Sequence, residues 1–293
     1  MITNPGPAST ASATEVTSPR RPWRTFRHPL PIRIMHWVNA AVILIMLGSG
    51  FQIFNAHPAL YWGERSDPDR ALFEMKAIKT EVGQLRGVTI VLGRAFETTG
   101  ILGASRNSAG ELKARGFPLW VILPSGQWLA MGRRWHFFFA WLFVLNGVVF
   151  AVYSVMTKHF SKDLMPRWRE FLVSGRALIR RVMGQTLERP TIEKYSPVQK
   201  LFYFGVVFVC GPLVVFTGLA MSPWLDAAFP WLPSFFGGHQ SARTIHFLTA
   251  SAMAVFTAIH LFMVVATGFA RNLHSMISGW YYVSKVNRYY GKD

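Results

Sequence analysis

Four stretches of the chain are apolar over roughly the 20 residues needed to cross about 30 Å of hydrocarbon, and none holds Asp, Glu, Lys or Arg. They cover about 34–54 (IMHWVNAAVILIMLGSGFQIF), 135–155 (WHFFFAWLFVLNGVVFAVYSV), 201–221 (LFYFGVVFVCGPLVVFTGLAM) and 245–270 (IHFLTASAMAVFTAIHLFMVVATGFA). Runs of that length predict four transmembrane helices. The first has a leader longer than 30 residues, a longer run than a signal-peptide core and no clear small-residue cleavage site, so it reads as a retained helix. Residues 1–28 are rich in Ser, Thr, Pro and Ala and read as a disordered tail. Segment 55–132 carries short β-branched runs broken by Gly and Asn, which predict β-hairpins. The expected fold class is an all-α integral membrane protein: a four-helix transmembrane bundle over 29–285 with a small, β-containing external insert at 55–132.

Charge orients this arrangement. Short basic flanks stay on the cytoplasmic side. The tail to Arg33 has five basic residues, segment 158–200 has ten against four acids, and 269–293 carries Arg271, Lys285, Arg288 and Lys292. Connection 222–240 has none. Both termini and the basic 158–200 loop are therefore expected in the cytoplasm. The insert has nine basic residues but seven acids, and at 78 residues it exceeds the roughly 60 over which the rule operates.

Composition narrows the chemistry. The chain is 51% hydrophobic and only 15% charged, against about 25% charged in a soluble domain. The net charge of +17 would suggest nucleic acid in a soluble protein. Here it lies in span flanks, no nucleic-acid motif accompanies it, and a nucleic-acid partner is excluded. One Cys excludes a disulfide framework, a cysteine zinc site and an iron–sulfur cluster, and the lack of C-x-x-C-H excludes covalent c-type haem.

Four of the nine histidines lie inside spans: His36, His136, His246 and His260. Ionisable residues there are costly and mark function, although a single one is as well explained by packing across helices. His246 and His260 are fourteen residues apart, which at about 100° per residue puts both on one helix face, separated by about 21 Å along the axis. Span direction then matches His136 with His246 at the outer depth and His36 with His260 at the inner. Each depth offers two histidines and no carboxylate, too few for a bare zinc ion. Haem occupies four iron positions itself and leaves two axial ones, so two imidazole pairs predict two haems, with closed irons suited to electron transfer. Arg33, Arg133, Arg134, Arg243 and Arg271 at span ends are candidates for haem propionates and equally for interfacial anchoring. Glycines 48, 50, 147, 205, 211 and 218 suit either a flat ring or close helix packing. Cys210 reads as a small buried hydrophobe.

The segments HPLPIRIMHWVNA, GRRWHFFFAWLFVLNG, TGLAMSP and GGHQSARTIHF, with the second His fourteen residues on, resemble the bacterial di-haem cytochrome b561 superfamily. The resemblance is strongest to its thiosulfate reductase cytochrome b branch, related to the formate dehydrogenase and Ni–Fe hydrogenase cytochrome b subunits. It implies a bacterial inner-membrane bundle with two haem b, held by His36, His136, His246 and His260. It also implies electron exchange between the quinone pool and a periplasmic redox protein, in this branch often a molybdopterin oxidoreductase. The long insert departs from the compact hydrogenase-type subunits. A quinone site is expected beside the cytoplasmic haem, with Arg33, Asn39 and Arg271 as candidate polar groups. The insert is expected to dock the partner and to be removable over 63–122 with both haems kept. Connection 222–240, aromatic and nearly uncharged, suits the headgroup layer or a protein interface. The alternative function is a self-contained quinone-linked haem oxidoreductase. A transporter would show internal repeats or intramembrane charges, and neither is evident.

Overall fold

The computed structural model describes residues 24–124, 126–157 and 197–282. The tail to residue 23 and most of the basic 158–200 loop fall outside the described residues. The chain opens with a short strand β1 (Arg24–Phe26) and the helix α1 (Leu30–Phe54). Pro29 and Pro31 pre-set the backbone at its start. The insert follows: β2 (Ala59–Leu60), a 3₁₀ turn Pro68–Arg70, β3 (Phe73–Lys79), β4 (Leu85–Val91), β5 (Arg94–Glu97), β6 (Ala104–Arg106) and β7 (Leu112–Ala114). Next comes α2 (Leu129–Met156), then α3 (Pro197–Phe204), a π-helical stretch Gly205–Cys210 and α4 (Gly211–Ala220). Short helices α5 (Pro223–Ala228) and α6 (Trp231–Phe235) lead to α7 (His239–Ala266), α8 (Phe269–Ser278) and β8 (Trp280–Tyr282).

Among the described residues, four helical stretches are long and apolar enough to span a membrane: Leu30–Phe54, Leu129–Met156, Lys200–Ala220 and His239–Ala266. The second and fourth begin six residues before the apolar runs, so Arg133, Arg134 and Arg243 lie within helices rather than in flanks. The fourth stops at Ala266, short of 270. Gly268, at φ 113°, adopts a backbone that other residues avoid, and it turns the chain into the separate helix α8. Large side chains point outward all around the spans (Phe138, Trp141, Leu145, Phe216, Phe262), as expected in lipid. On α1 the buried side is a narrow stripe of Met35, Val42 and Ser49 with Gly48 and Gln52. Helix α1 packs closely on α2, and α4 on α7, while close backbone approach between the two pairs is sparse.

The insert is a four-stranded antiparallel sheet, β2-β3-β4-β5, beside a β6/β7 hairpin. In the central hairpin Phe73 faces Val91 and Lys79 faces Leu85. Its core is shared with the bundle. Phe54 of α1, Leu60 and Met75 form a buried cluster joined by Phe73, Leu102, Phe117 and Phe247 of α7. Asn55 clamps the Phe117 backbone on both sides, accepting from its N–H at 2.6 Å and donating to its carbonyl at 3.3 Å. The first turn of α7 has N–H groups without helical partners, and the insert supplies acceptors. Gly63 O accepts from Gln240 and Ser241 N–H, both at 3.1 Å, and the Glu64 carboxylate from His239 N–H at 3.2 Å. Thr244 Oγ1 donates to Tyr61 O at 2.6 Å. At the opposite end β1 pairs with β8. Arg24 lies 4.7 Å over Trp280 and Arg27 4.7 Å over Tyr281. The insert is not packed separately from the bundle: Phe54 and Phe247 belong to its core, and its residues 61–64 bond the first turns of α7.

Candidate functional site

The four intramembrane histidines meet as two pairs in the seam between the helix pairs. His136 of α2 and His246 of α7 have ring centroids 6.2 Å apart with planes at 63°, on the insert side. His36 of α1 and His260 of α7 have centroids 6.3 Å apart at 60°, on the side of the β1/β8 clasp. Helix α7 serves both because fourteen residues return to nearly the same face. Two imidazoles on one metal, with bonds of about 2 Å and about 1 Å from nitrogen to ring centre, put the centroids about 6 Å apart. Both pairs fit that separation. Among the described residues no cluster of three or more His, Cys, Asp or Glu forms a metal site, so a bare ion would lack ligands at either pair. A metal that brings four equatorial ligands of its own fits.

The insert-side pair is closely furnished. Ser49 Oγ lies 3.1 Å from His136 Nδ1, and Thr217 Oγ1 3.2 Å from His246 Nδ1. A Cβ on Gly50 would meet His136 Cε1 at 3.5 Å, and one on Gly218 would meet His246 Cε1 at 3.3 Å. Gly48 instead admits Leu123, and among the described residues a Cβ on Gly147 or Gly205 would meet no neighbouring element within 4 Å. The glycines thus divide between ring contact, helix–loop packing and open space.

The clasp-side pair is different. The buried Nδ1 of His36 has no hydrogen-bond partner among the described residues. Phe256 stacks on His260 at 6.1 Å, and Trp37 meets His36 edge-on at 5.3 Å. Arg33 Nη1 donates to Ile277 O, and Arg271 Nη2 to Thr267 O at 2.6 Å. The Nε of each is buried and unpartnered among the described residues, an orphaned donor that an anionic group would satisfy. Asn39 is half-buried on the same helix as Arg33.

The other three arginine candidates are placed elsewhere, Arg134 being exposed on α2. Arg243 donates through Nη2 to His57 O and lies 5.4 Å over the Phe54 ring, spent on joining insert to bundle. Arg133 is exposed and lies 5.8 Å from the Phe137 ring centre, along its own helix. His239 takes no part in either pair; its ring sits between Asp226 (3.2 Å) and Glu64 (3.5 Å). Partial burial, and then the Arg243 guanidinium, hold the His57 imidazole below its usual range, with Glu74 opposing. Burial and Glu74 push the Tyr61 phenol up.

Ser49, Thr217 and Glu64 were not singled out by sequence reasoning. The first two had a faint signal: a hydroxyl directly before a glycine, inside a span, on two helices. Glu64 had none, since its partner is 175 residues away.

A family profile described as prokaryotic cytochrome b561 matches residues 27–279. The chain is 23% identical over 259 residues to a putative protein-methionine-sulfoxide reductase subunit YedZ1 of Azospira oryzae, covering 86% of this chain and 96% of that protein. It is 24% identical over 268 residues to a probable Ni/Fe-hydrogenase B-type cytochrome subunit of Cupriavidus necator, covering 87% and 86%. No solved structure matches the chain.

Proposed function

The chain belongs to the prokaryotic cytochrome b561 family, and from that premise we propose that it is the di-haem membrane subunit of a quinone-linked redox complex. Membership brings b-type haem, and the relatives are subunits of redox complexes by name. The observation that carries the finer reading is the pair of imidazole couples, 6.2 and 6.3 Å apart, stacked on one helix. Haem supplies reversible one-electron chemistry when bound. His136 and His246 would hold the insert-side iron, and His36 and His260 the clasp-side one. An iron held by two imidazoles in this way would supply electron transfer rather than substrate binding. Arg33 and Arg271 would offer their Nε–H groups, unpartnered among the described residues, to the acidic groups of the clasp-side cofactor. The spans keep water from the couples.

Electrons enter or leave at two ends. Quinone, confined to lipid, exchanges near the clasp-side pair, with Arg33, Asn39 and Arg271 as the candidate polar groups. A periplasmic oxidoreductase, of the molybdopterin class in the branch this chain resembles, docks over the insert. On this reading the insert faces the periplasm, and both termini the cytoplasm of a cell with the chain in its inner membrane. The test is a haemochrome assay on the purified protein with quinol added to membranes. Two haems per polypeptide, both reduced by quinol, are expected. Zero or one haem would overturn the di-haem reading, and haems inert to quinol would remove the quinone link.

A further inference from the structure

Each imidazole of the insert-side pair is seated by the same two-residue device, borne on a different helix. On α1, Ser49 Oγ faces His136 Nδ1 at 3.1 Å, and the next residue, Gly50, leaves room for the same ring. On α4, Thr217 Oγ1 faces His246 Nδ1 at 3.2 Å, and Gly218 leaves room for that ring. Serine and threonine in helices often bond back to the preceding turn and do nothing more. Both do so here: Ser49 Oγ donates to Ile45 O at 2.7 Å and Thr217 Oγ1 to Leu213 O at 2.6 Å. That bond has a consequence. A hydroxyl has one proton and two lone pairs, so once the proton points at the carbonyl only a lone pair is left for the ring. Nδ1 must then be the donor, which fixes the tautomer and leaves Nε2 free for a metal. A hydroxyl that is already donating is also a stronger acceptor. Both hydroxyl side chains are fully buried, so water does not compete for them. The carbonyls of Met46 and Val214, each 3.2 Å from the hydroxyl in question, are the rival acceptors for the ring N–H groups. The clasp-side pair has no such device, since His36 Nδ1 is unpartnered among the described residues.

We propose that Ser49 and Thr217 are positioning residues that lower the redox potential of the insert-side site and so set it apart from the clasp-side site. This rests on the di-haem reading above. A ligating histidine that gives its second N–H to an acceptor is oriented and made more basic. A more basic ligand favours the oxidised iron. The clasp-side site, with His36 unassisted, receives no such bias.

The full-length protein is purified as wild type, Ser49→Ala, Thr217→Val, the double variant and Thr217→Ser. Thr217→Val keeps the side-chain shape and removes the lone pair, so it remains informative where Ser49→Ala disturbs packing. Haem content, redox titration and low-spin electron paramagnetic resonance are read on each. In the double variant, the component that His136→Ala abolishes should shift its oxidised-to-reduced ratio about tenfold toward reduced at fixed potential, equal to about 59 mV for one electron. Its resonance should move, the other component should stay in place, and Thr217→Ser should match wild type. Unchanged potentials and spectra with two haems retained would overturn the proposal, since the rival carbonyls would then suffice. Equal shifts in both components would overturn it as general loosening. A wild type holding fewer than two haems would overturn the di-haem reading itself, and that shows before any variant is compared.

Discussion

Each of His36, His136, His246 and His260 is half of one couple, so removing any one leaves the other couple assembled. His136→Ala and His246→Ala are expected to lose the same redox component, and His36→Ala and His260→Ala the other, in a potentiometric titration. Loss of one shared component in His36→Ala and His246→Ala would break the pairing. His57, outside the spans, gives a pH signature. Its imidazole is held below the ordinary value of 6.5, so folding favours the neutral ring. The stability this contributes is present above about pH 6.5 and is lost as pH falls toward the folded value. The ring is mostly exposed and the effect is small. Thermal unfolding of His57→Gln should therefore fall less steeply than wild type between pH 7 and pH 5.

Helix α7 begins where the insert tells it to. Its sequence start, Gly237-Gly238, carries positive φ angles of 81° and 110°, and a Cβ at Gly238 would come within 2.5 Å of Glu64 Oε2. The helix therefore enters its first turn pressed against the insert, with Glu64 as the acceptor for His239 N–H. Glu64→Ala should cost about 0.5–2 kcal/mol, the range for losing an N-terminal cap, while Glu64→Gln, which keeps an acceptor oxygen, should cost less. Thermal unfolding in detergent distinguishes the two, and equal melting points for Ala and wild type would show that the contact carries no stability. The strand pattern of the insert was legible from β-branched runs and glycines. Its cap on α7 was not, because strand periodicity carries no information about which helix end a loop will reach.

At the scale of the whole chain, the insert and the bundle share one aromatic core. Phe54 and Phe247 stack at 4.5 Å, and Phe117 lies 5.9 Å from Phe54. Phe247 directly follows His246, so the insert's core is adjacent to the insert-side couple. Deleting 63–122 removes Phe73, Met75, Leu102 and Phe117 together with the α7 cap. The expected result is loss or broadening of the insert-side redox component with the clasp-side component retained. Two unperturbed components after the deletion would show that the shared core does not support the couple. A milder variant, Met75→Ala, truncates a buried core side chain and should cost about 2–5 kcal/mol, with the clasp-side component again unmoved.

The sequence by itself determined the four apolar helices, because a span must be uncharged over its whole length and that constraint is written locally. It also determined the two histidine couples, because a fourteen-residue spacing on one helix and the alternating direction of successive spans leave few ways to match depths. Three things were decided only in the tertiary structure. The first is which arginines keep a spare donor: Arg33 and Arg271 each have an Nε unpartnered among the described residues, while Arg243 is drawn to His57 and Phe54. The second is the division of the glycines between ring contact and packing. The third is the pairing of Ser49 with His136 and Thr217 with His246, across 87 and 29 residues. Each of these depends on what a neighbouring helix or loop brings to within a few ångströms, and that distance is fixed only when the elements pack.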